Sequence, residues 1–394
     1  MTGVVIASAA RTAIGSYGKS LKDVPATELG VTAAKAALER SGLSPEQIDH
    51  VVFGNVIHSD TNDMYMARVV SINAGLPIET PALTVNRLCG SGAQSIVTAA
   101  MHIQTGESET AIAGGAESMS QAPYWVPSAR WGARMGPGQL TDPVVGALND
   151  PFRKIHMGVT AENLSERDTI SREDQDAFAF QSHQRAAAAR AAGKFADEIT
   201  PVTIKTRKGE VVFDTDEHIR EDISIEGLAK LKPAFKPDGT VTAGNASGLN
   251  DAGAAVVLLS EAKAQELGTP VRAKLLGYGI TGVDPNIMGI GPVTAIQKTL
   301  KKTGVALEDV GVIELNEAFA AQSLAVTREL GLADDDPRVN PNGGAIALGH
   351  PIGASGTAIT VKAISELERT GERYALVSLC IGGGQGIALL LERA

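Results

Sequence analysis

Asn340-Pro341-Asn342-Gly343-Gly344-Ala345-Ile346-Ala347-Leu348-Gly349-His350-Pro351-Ile352-Gly353-Ala354-Ser355-Gly356 gathers five glycines around a single histidine. Glycine has no Cβ, so a backbone this rich in it turns sharply and presses close to a ligand or another loop. His350 is flanked by a permissive residue, Gly349, and a stiff one, Pro351. The spacing predicts a strand, a tight glycine loop carrying the histidine, and a helix that starts near Ser355 and runs through Ala358-Ile359-Thr360-Val361. Taken alone, such a histidine is as readily structural as catalytic. The cysteines tilt the balance.

There are two, Cys89 and Cys380. Cys89 precedes Gly90-Ser91-Gly92 and a helix start, where the positive end of the helix dipole is expected to lower the thiol pKa. A structural cysteine is normally buried within an element and inert; this one sits in a glycine loop. Cys380 follows Leu376-Val377-Ser378-Leu379 and precedes Ile381-Gly382-Gly383-Gly384. That puts a second thiol at a strand end, beside backbone N–H groups able to hold an oxyanion. Two thiols and a histidine in glycine loops at strand ends point to acyl transfer through a thioester. Asn316-Glu317-Ala318-Phe319 closes the strand ending at Leu315. The Asn-Glu pair is either a helix cap or an amide that positions a water or a substrate oxygen. No histidine or cysteine spacing suggests a metal, and among the remaining histidines His156-Met157-Gly158 stands out.

The chain repeats itself. Leu38-Glu39-Arg40-Ser41-Gly42-Leu43 echoes Leu300-Lys301-Lys302-Thr303-Gly304-Val305 at an offset of 262, and Cys89 precedes His350 by 261. Val51-Val52-Phe53 aligns with Ile313-Glu314-Leu315, and Gly106-Glu107 with Gly371-Glu372. Two α/β halves of one topology are expected, with Cys89 and His350 in equivalent loops that face each other. Helical stripes such as Ile96, Ala99, Ala100 and Ile103 alternate with short apolar strands such as Thr110–Ala113, followed by Gly114-Gly115.

Between the halves the texture changes. Residues 119–250 carry both tryptophans, Trp125 and Trp131, a capped helix from Ser171 to about Gly193, and a hairpin of Ile199–Lys205 with Val211–Phe213. Arg207, Lys208, Arg220, Lys230, Lys232 and Lys236 form either a solvated face or a patch for phosphates. The expected division is 1–118 plus 251–270 for the first half, 119–250 for an inserted lobe, and 271–394 for the second half. At 394 residues, 43% hydrophobic and 20% charged, the composition is that of a globular protein with two or three lobes. A net charge of −10 and 4% aromatics argue against nucleic acid and an anionic membrane surface, though not against a small anion on a local basic patch. Two thiols make no disulfide framework, and a reducing cytoplasm fits. Val4–Ala10 reads as a buried first strand rather than a signal peptide, and no run is long enough to span a membrane.

With these motifs in view the chain resembles a thiolase from end to end. The resemblance rests on Val85-Asn86-Arg87-Leu88-Cys89-Gly90-Ser91-Gly92, Asn316-Glu317-Ala318-Phe319-Ala320, the stretch from Asn342 to Gly356, and Cys380-Ile381-Gly382-Gly383-Gly384. It implies an α/β fold of duplicated five-layer α-β-α-β-α halves with an inserted loop domain that covers coenzyme A. It also implies a homotetramer, a dimer of dimers. Carried onto this sequence, Cys89 is the acylated nucleophile, His350 takes its proton and helps bind the thioester oxygen, and Cys380 is the acid/base at the α-carbon. Asn316 orients a water in one oxyanion hole with His350, and the N–H groups of Cys89 and Gly382 form the other. Ser247 and Arg220 correspond to positions that touch coenzyme A; His156, Met157 and Phe319 correspond to the acyl pocket. No permanently bound cofactor and no metal is implied: coenzyme A and acyl-CoA are substrates.

Trp131-Gly132-Ala133-Arg134-Met135-Gly136 and Asp150-Pro151-Phe152 are similar to the bacterial broad-specificity biosynthetic β-ketothiolases, which implies short acyl chains and a place in fatty-acid or polyhydroxyalkanoate metabolism. A degradative 3-ketoacyl-CoA thiolase for longer chains is the nearest rival. A ketoacyl synthase is disfavoured by the second cysteine, and a non-catalytic homologue that binds CoA esters by the presence of every catalytic residue.

Overall fold

The computed structural model describes residues 2–394. The first half runs β1 (Val4–Thr12), α1 (Ala26–Ser41), β2 (His50–Gly54), α2 (Met66–Asn73), β3 (Ala82–Val85), α3 (Ser91–Thr105) and β4 (Thr110–Ser118). An excursion follows, containing α4 (Met157–Asp168), α5 (Arg172–Ala191), β5 (Val202–Thr206) and β6 (Gly209–Phe213). The chain returns through β7 (Asn250–Ser260) and then repeats the plan with β8 (Ala273–Gly282), α6 (Gly291–Thr303), β9 (Val310–Leu315), α7 (Ala320–Glu329), α8 (Ala345–Leu348), α9 (Ile352–Thr370), β10 (Tyr374–Ile381) and β11 (Gln385–Arg393).

The strands lie in the order β9-β10-β11-β8-β1-β7-β4-β2-β3. Either side of the β1–β8 junction the sequence of pairings is the same: two antiparallel contacts, then a parallel one. The repeat read from the sequence is thus a repeat of topology. Its punctuation recurs as well. Gly42 and Gly304 end α1 and α6 at φ 72 and 73, and Gly106 and Gly371 end α3 and α9 at φ 79 and 75. These are left-handed caps that only glycine adopts without strain.

Three apolar clusters stack the layers. One joins α1 and α2 to the outer face of the first half, and another joins α6 and α7 to the outer face of the second. Between them α3 and α9 are buried together against the inner faces of both halves. The order is helices, sheet, helices, sheet, helices. β1 and β7 are buried along their whole length, as strands covered on both faces must be, so their sequences read as apolar runs rather than alternations. The helices α4 and α5 and the turn between them add Leu164, Phe178 and Ile170 to the outer cluster of the second half, which seats the excursion there.

Four details differ from expectation. α9 starts at Ile352, not Ser355, because Pro351 supplies the entry and its carbonyl accepts the N–H groups of Ala354 and Ser355. The strand expected before the glycine loop is a single bridge, Val339 to Ile313, and the short helix α8 intervenes. Gly114-Gly115 does not end β4, which continues to Ser118. A Cβ on Gly115 would stand 2.1 Å from the Gly353 carbonyl oxygen, so glycine there serves close approach. The hairpin pairs Val202–Thr206 with Gly209–Phe213, while Ile199 and Thr200 pair with β1.

The first turns of α3 and α9 touch through glycine. A Cβ on Gly92 would lie 2.6 Å from the Thr357 nitrogen, and one on Gly356 would lie 2.2 Å from the Ala93 nitrogen. Gly92→Ala should therefore destabilise the fold by ~2 kcal/mol or more. Gly138→Ala, where nothing lies within 4 Å, should change it by less than ~0.5 kcal/mol. Denaturant midpoints of the two variants test the difference.

Candidate active site

The loops before α3 and α9 carry Cys89 and His350, so the pairing across the repeat holds in space. His350 is held on every side. Its N–H donates to Asn250 Oδ1 at 2.8 Å, and Asn250 Nδ2 donates to the Gly15 carbonyl at 3.0 Å. A Cβ on the preceding Gly349 would fall 2.4 Å from Asn250 Cγ, and φ there is 107, so only glycine lets the loop close on this asparagine. His350 Nδ1 lies 2.6 Å from Ser355 Oγ, whose hydroxyl is 2.9 Å from the Pro351 carbonyl. With that carbonyl taking the hydroxyl proton, Ser355 accepts from Nδ1–H, and Nε2 keeps its lone pair. Asn316 Nδ2 faces Nε2 at 3.4 Å. Burial lowers the histidine pKa to about 4, so the ring is a neutral base at physiological pH.

Asn316 does not cap a helix: α7 begins at Ala320, and Phe319 stands at its cap position without a side-chain bond. The Asn316 N–H donates to the Ser378 carbonyl at 2.9 Å, which ties the end of β9 to β10. Its Oδ1 is buried with no partner in the protein. A buried unpaired carbonyl oxygen marks a place for a water or a polar substrate atom. Glu317 clamps the glycine loop, accepting Ser182 Oγ–H at 2.7 Å, Asn340 Nδ2–H at 2.7 Å and the Ile346 N–H at 3.1 Å.

The backbone N–H groups of Gly382 and of Cys89 itself lie near enough to the Cys89 sulfur to favour its thiolate. Gly382 belongs to the second half and Cys89 to the first. Cys380 is buried beside them, close enough for a thiolate at Cys89 to raise its pKa, which burial has already raised. The expected depression of the Cys89 pKa is not found. Burial is the largest influence and pushes the thiol up to about 11; the two amides offset it only in part, and Glu117 opposes them. α3 starts two residues later, at Ser91, so the thiol gains less from its dipole than from its own loop. Both thiols are protonated in the resting protein, and a base must accept the Cys89 proton.

Cys380 itself belongs to an apolar cluster with Met157, Met288, Ala318 and Phe319. His156 caps α4 by accepting the Gly158 N–H on Nδ1 at 3.0 Å, which leaves Nε2–H free to donate. Its ring stacks on Phe235 at 4.6 Å, and Phe235 meets Phe319 edge-on at 6.0 Å. Ser247 joins this group through its N–H to the Ala318 carbonyl at 3.0 Å. Arg220 is exposed and lines a polar cavity of about 660 Å3 with Lys19, Arg190 and Leu249, the last in the same segment as Ser247, and its N–H donates to His183 Nδ1 at 3.1 Å. The cationic residues do not form one patch: Lys236 pairs with Glu166 at 2.7 Å, while Arg207 and Lys208 are the turn of the β5–β6 hairpin. Among the described residues no group of three or more His, Cys, Asp or Glu could hold a metal ion, and no helix is long and apolar enough to cross a membrane.

Sequence reading passed over Phe235, Asn250, Ser355 and Glu117. The last is buried, with its pKa pushed up to about 8 by burial, and accepts N–H groups from Val56, Ile57 and Gly353. Ser355 and Gly353 lie inside the quoted glycine stretch, where their spacing from His350 was a readable signal. Phe235 and Asn250 come from distant segments and had none.

The Thiolase, N-terminal domain family matches residues 4–262, and the Thiolase, C-terminal domain family matches residues 269–393. The chain is 58% identical over 391 residues to beta-ketothiolase BktB of Cupriavidus necator, covering 99% of each. The Bacillus anthracis acetyl-CoA acetyltransferase crystal structure superposes with a TM-score of 0.98 at 49% identity, covering 100% of this chain and 99% of that one. Human mitochondrial 3-ketoacyl-CoA thiolase in complex with CoA gives a TM-score of 0.96 at 49% identity, covering 100% and 98%.

The buried histidines set the response to acid. The folded-state pKa values of His350 and His183 are lowered to about 4 from 6.5, so protons favour the unfolded chain. Their contribution to stability is whole above about pH 6.5 and is lost as the pH falls toward 4. The melting temperature should drop across this window, and His183→Gln should flatten the drop; a profile unchanged by that substitution would contradict the assignment.

Proposed function

The chain belongs to the thiolase family, and on that premise we propose how its residues carry out the reversible Claisen condensation of acetyl-CoA with a short acyl-CoA. The family chemistry is acyl transfer between coenzyme A thioesters, with thiolysis of a 3-ketoacyl-CoA as the reverse. The observation that carries the residue assignment is the close approach of the first turns of α3 and α9 at Gly92 and Gly356, which brings the loops of Cys89 and His350 together, with Asn316 Nδ2 3.4 Å from His350 Nε2.

In the proposed sequence His350 Nε2 takes the Cys89 proton and the sulfur attacks the acetyl-CoA carbonyl. The water held by Asn316 and His350 faces one developing oxyanion, and the N–H groups of Cys89 and Gly382 face the other. The departing CoA thiolate takes the Cys380 proton. That leaves acetyl-Cys89, a Cys380 thiolate and an imidazolium at His350, whose opposite charges support each other in a buried site. The Cys380 thiolate then removes an α-proton from the second acyl-CoA. The enolate carbon attacks the acetyl group, the C–S bond to Cys89 breaks, and Cys89 recovers its proton from His350. Every group returns to its starting state, and no metal or redox partner takes part.

We assign Ser247 and Arg220, within the inserted loop domain 119–250, to coenzyme A, and His156, Met157 and Phe319 to the acyl chain. Similarity to BktB supports the short-chain biosynthetic reading, with a role in polyhydroxyalkanoate supply, over the degradative one. A homotetramer is proposed on the exposed apolar surface, and a cytoplasmic location on the two unpaired cysteines. Trp131 is 87% exposed, and Tyr65, Ile78 and Leu83 are exposed at or near β3, the unpaired edge strand. Such area is usually covered by a second copy.

Thiolysis of a 3-ketoacyl-CoA series, from acetoacetyl-CoA upward, tests the reading. Acetoacetyl- and 3-ketovaleryl-CoA should be cleaved well, and Cys89→Ala should lose at least ~10⁴-fold in kcat. Cleavage of longer esters alone would favour the degradative rival. Light scattering should return a tetramer of the 40.8 kDa chain; a monomer would refute the assembly.

A further inference from the structure

Glu117 is fully buried near the end of β4, and no step of the proposed chemistry uses it. Four N–H donors meet its two oxygens. Oε1 accepts from the Ile57 N–H at 3.1 Å and from Asn55 Nδ2 at 3.3 Å. Oε2 accepts from the Val56 N–H at 3.1 Å and from the Gly353 N–H at 2.8 Å. The lone-pair sites of a carboxylate are thereby all used. Burial pushes the pKa up to about 8; the donors oppose that rise, since no acceptor is among these partners to take a proton.

The partners lie on both sides of the Cys89–His350 pair. Gly353 stands in the first turn of α9, which follows His350 directly. Pro351 occupies the cap position of that helix and has no side chain to offer its free N–H groups. Glu117 supplies from a neighbouring strand the acceptor that the proline lacks, at the helix end where an anion is favoured. The fit is close: a Cβ on Gly353 would fall 2.6 Å from Glu117 Oε2. The same turn carries Ser355, whose hydroxyl lies 2.6 Å from His350 Nδ1 and so orients the ring that faces Asn316. On the other side, Val56 and Ile57 share one apolar cluster with Cys89 and Ile352. One carboxylate grips both the turn that orients the histidine and the segment that packs on the cysteine.

We infer that Glu117 is a positioning residue for the reaction: by tying the first turn of α9 to residues 55–57, it holds His350 in register with Cys89. This deepens the thiolase reading and rests on it. Glu117 acts through His350 rather than on the substrate. Glutamine, nearly the same size, cannot replace it: whichever way its amide turned, the NH2 would face two of the four donors.

The test follows acetylation of Cys89 by acetyl-CoA in a single turnover, read as the mass of the intact protein. It compares the wild type, Glu117→Gln and Gly353→Ala, each also in a His350→Ala background, where slow acetylation is followed over hours. Gly353→Ala leaves Glu117 in place and presses a methyl against its carboxylate, so the two variants disturb one contact from opposite sides. Melting temperatures establish that each is folded. With His350 present, each variant should slow acetylation about 100-fold, the cost of misplacing a reacting group by roughly 1 Å. In the His350→Ala background neither should slow it further by more than about threefold, because residues that act as one unit are not additive. In steady-state thiolysis of acetoacetyl-CoA the loss should fall on kcat, with KM within about threefold of wild type. Equal slowing in both backgrounds overturns the positioning role and makes Glu117 a residue of the fold alone. So does acetylation within about threefold of wild type in both variants, a KM that rises as much as kcat falls, or loss of the folded state in both variants. Each of these leaves the thiolase reading standing, because the wild type is acetylated. A wild type that is not acetylated at Cys89 overturns the thiolase reading, and the positioning role with it.

Discussion

The contact between the first turns of α3 and α9 is the constraint on which the rest depends. Gly92 and Gly356 let two backbones approach to distances that no side chain permits. The loops that feed those turns end in Cys89 and His350. Close packing of two helices in the middle layer thus sets the separation of Cys89 and His350, the residues proposed as nucleophile and base. The same economy appears at Gly115, which meets the Gly353 carbonyl, and at Gly349, which meets Asn250.

Electrostatics then divides the labour. Burial raises the pKa of both thiols and lowers that of His350. A protein interior disfavours every charged form, so the resting site is neutral throughout. In the proposed mechanism charge appears only when substrate arrives, and it appears as a pair; the fixed amides and the Asn316 side chain proposed to meet it would not have to reorient, the condition under which dipoles stabilise a transition state most.

Much of this was legible in the sequence, for physical reasons. Glycine-rich loops advertise close approach, and the offset between Cys89 and His350 advertised their equivalence. The left-handed caps at Gly42 and Gly304 carried the repeat. What was not legible depended on distance in three dimensions. The dipole argument for Cys89 was sound locally but lost to burial, which a linear reading cannot weigh. Asn250 and Phe235 reach the site from the excursion and its return strand, with nothing in their neighbours to announce it. Gly114-Gly115 looked like a turn and proved to be strand, because turn glycines and close-approach glycines share a signature.

The seam between the halves carries a consequence for how the site is held. β1 and β8 pair through only Val5 with Lys274 and Ile6 with Ala273, whereas the neighbouring β8–β11 ladder runs from Ala273 to Gly282. Few backbone hydrogen bonds cross the junction, so the halves are held chiefly by the shared helical layer. Gly382 and Cys89 belong to opposite halves, so their relative placement is secured through that layer and not across the strand seam.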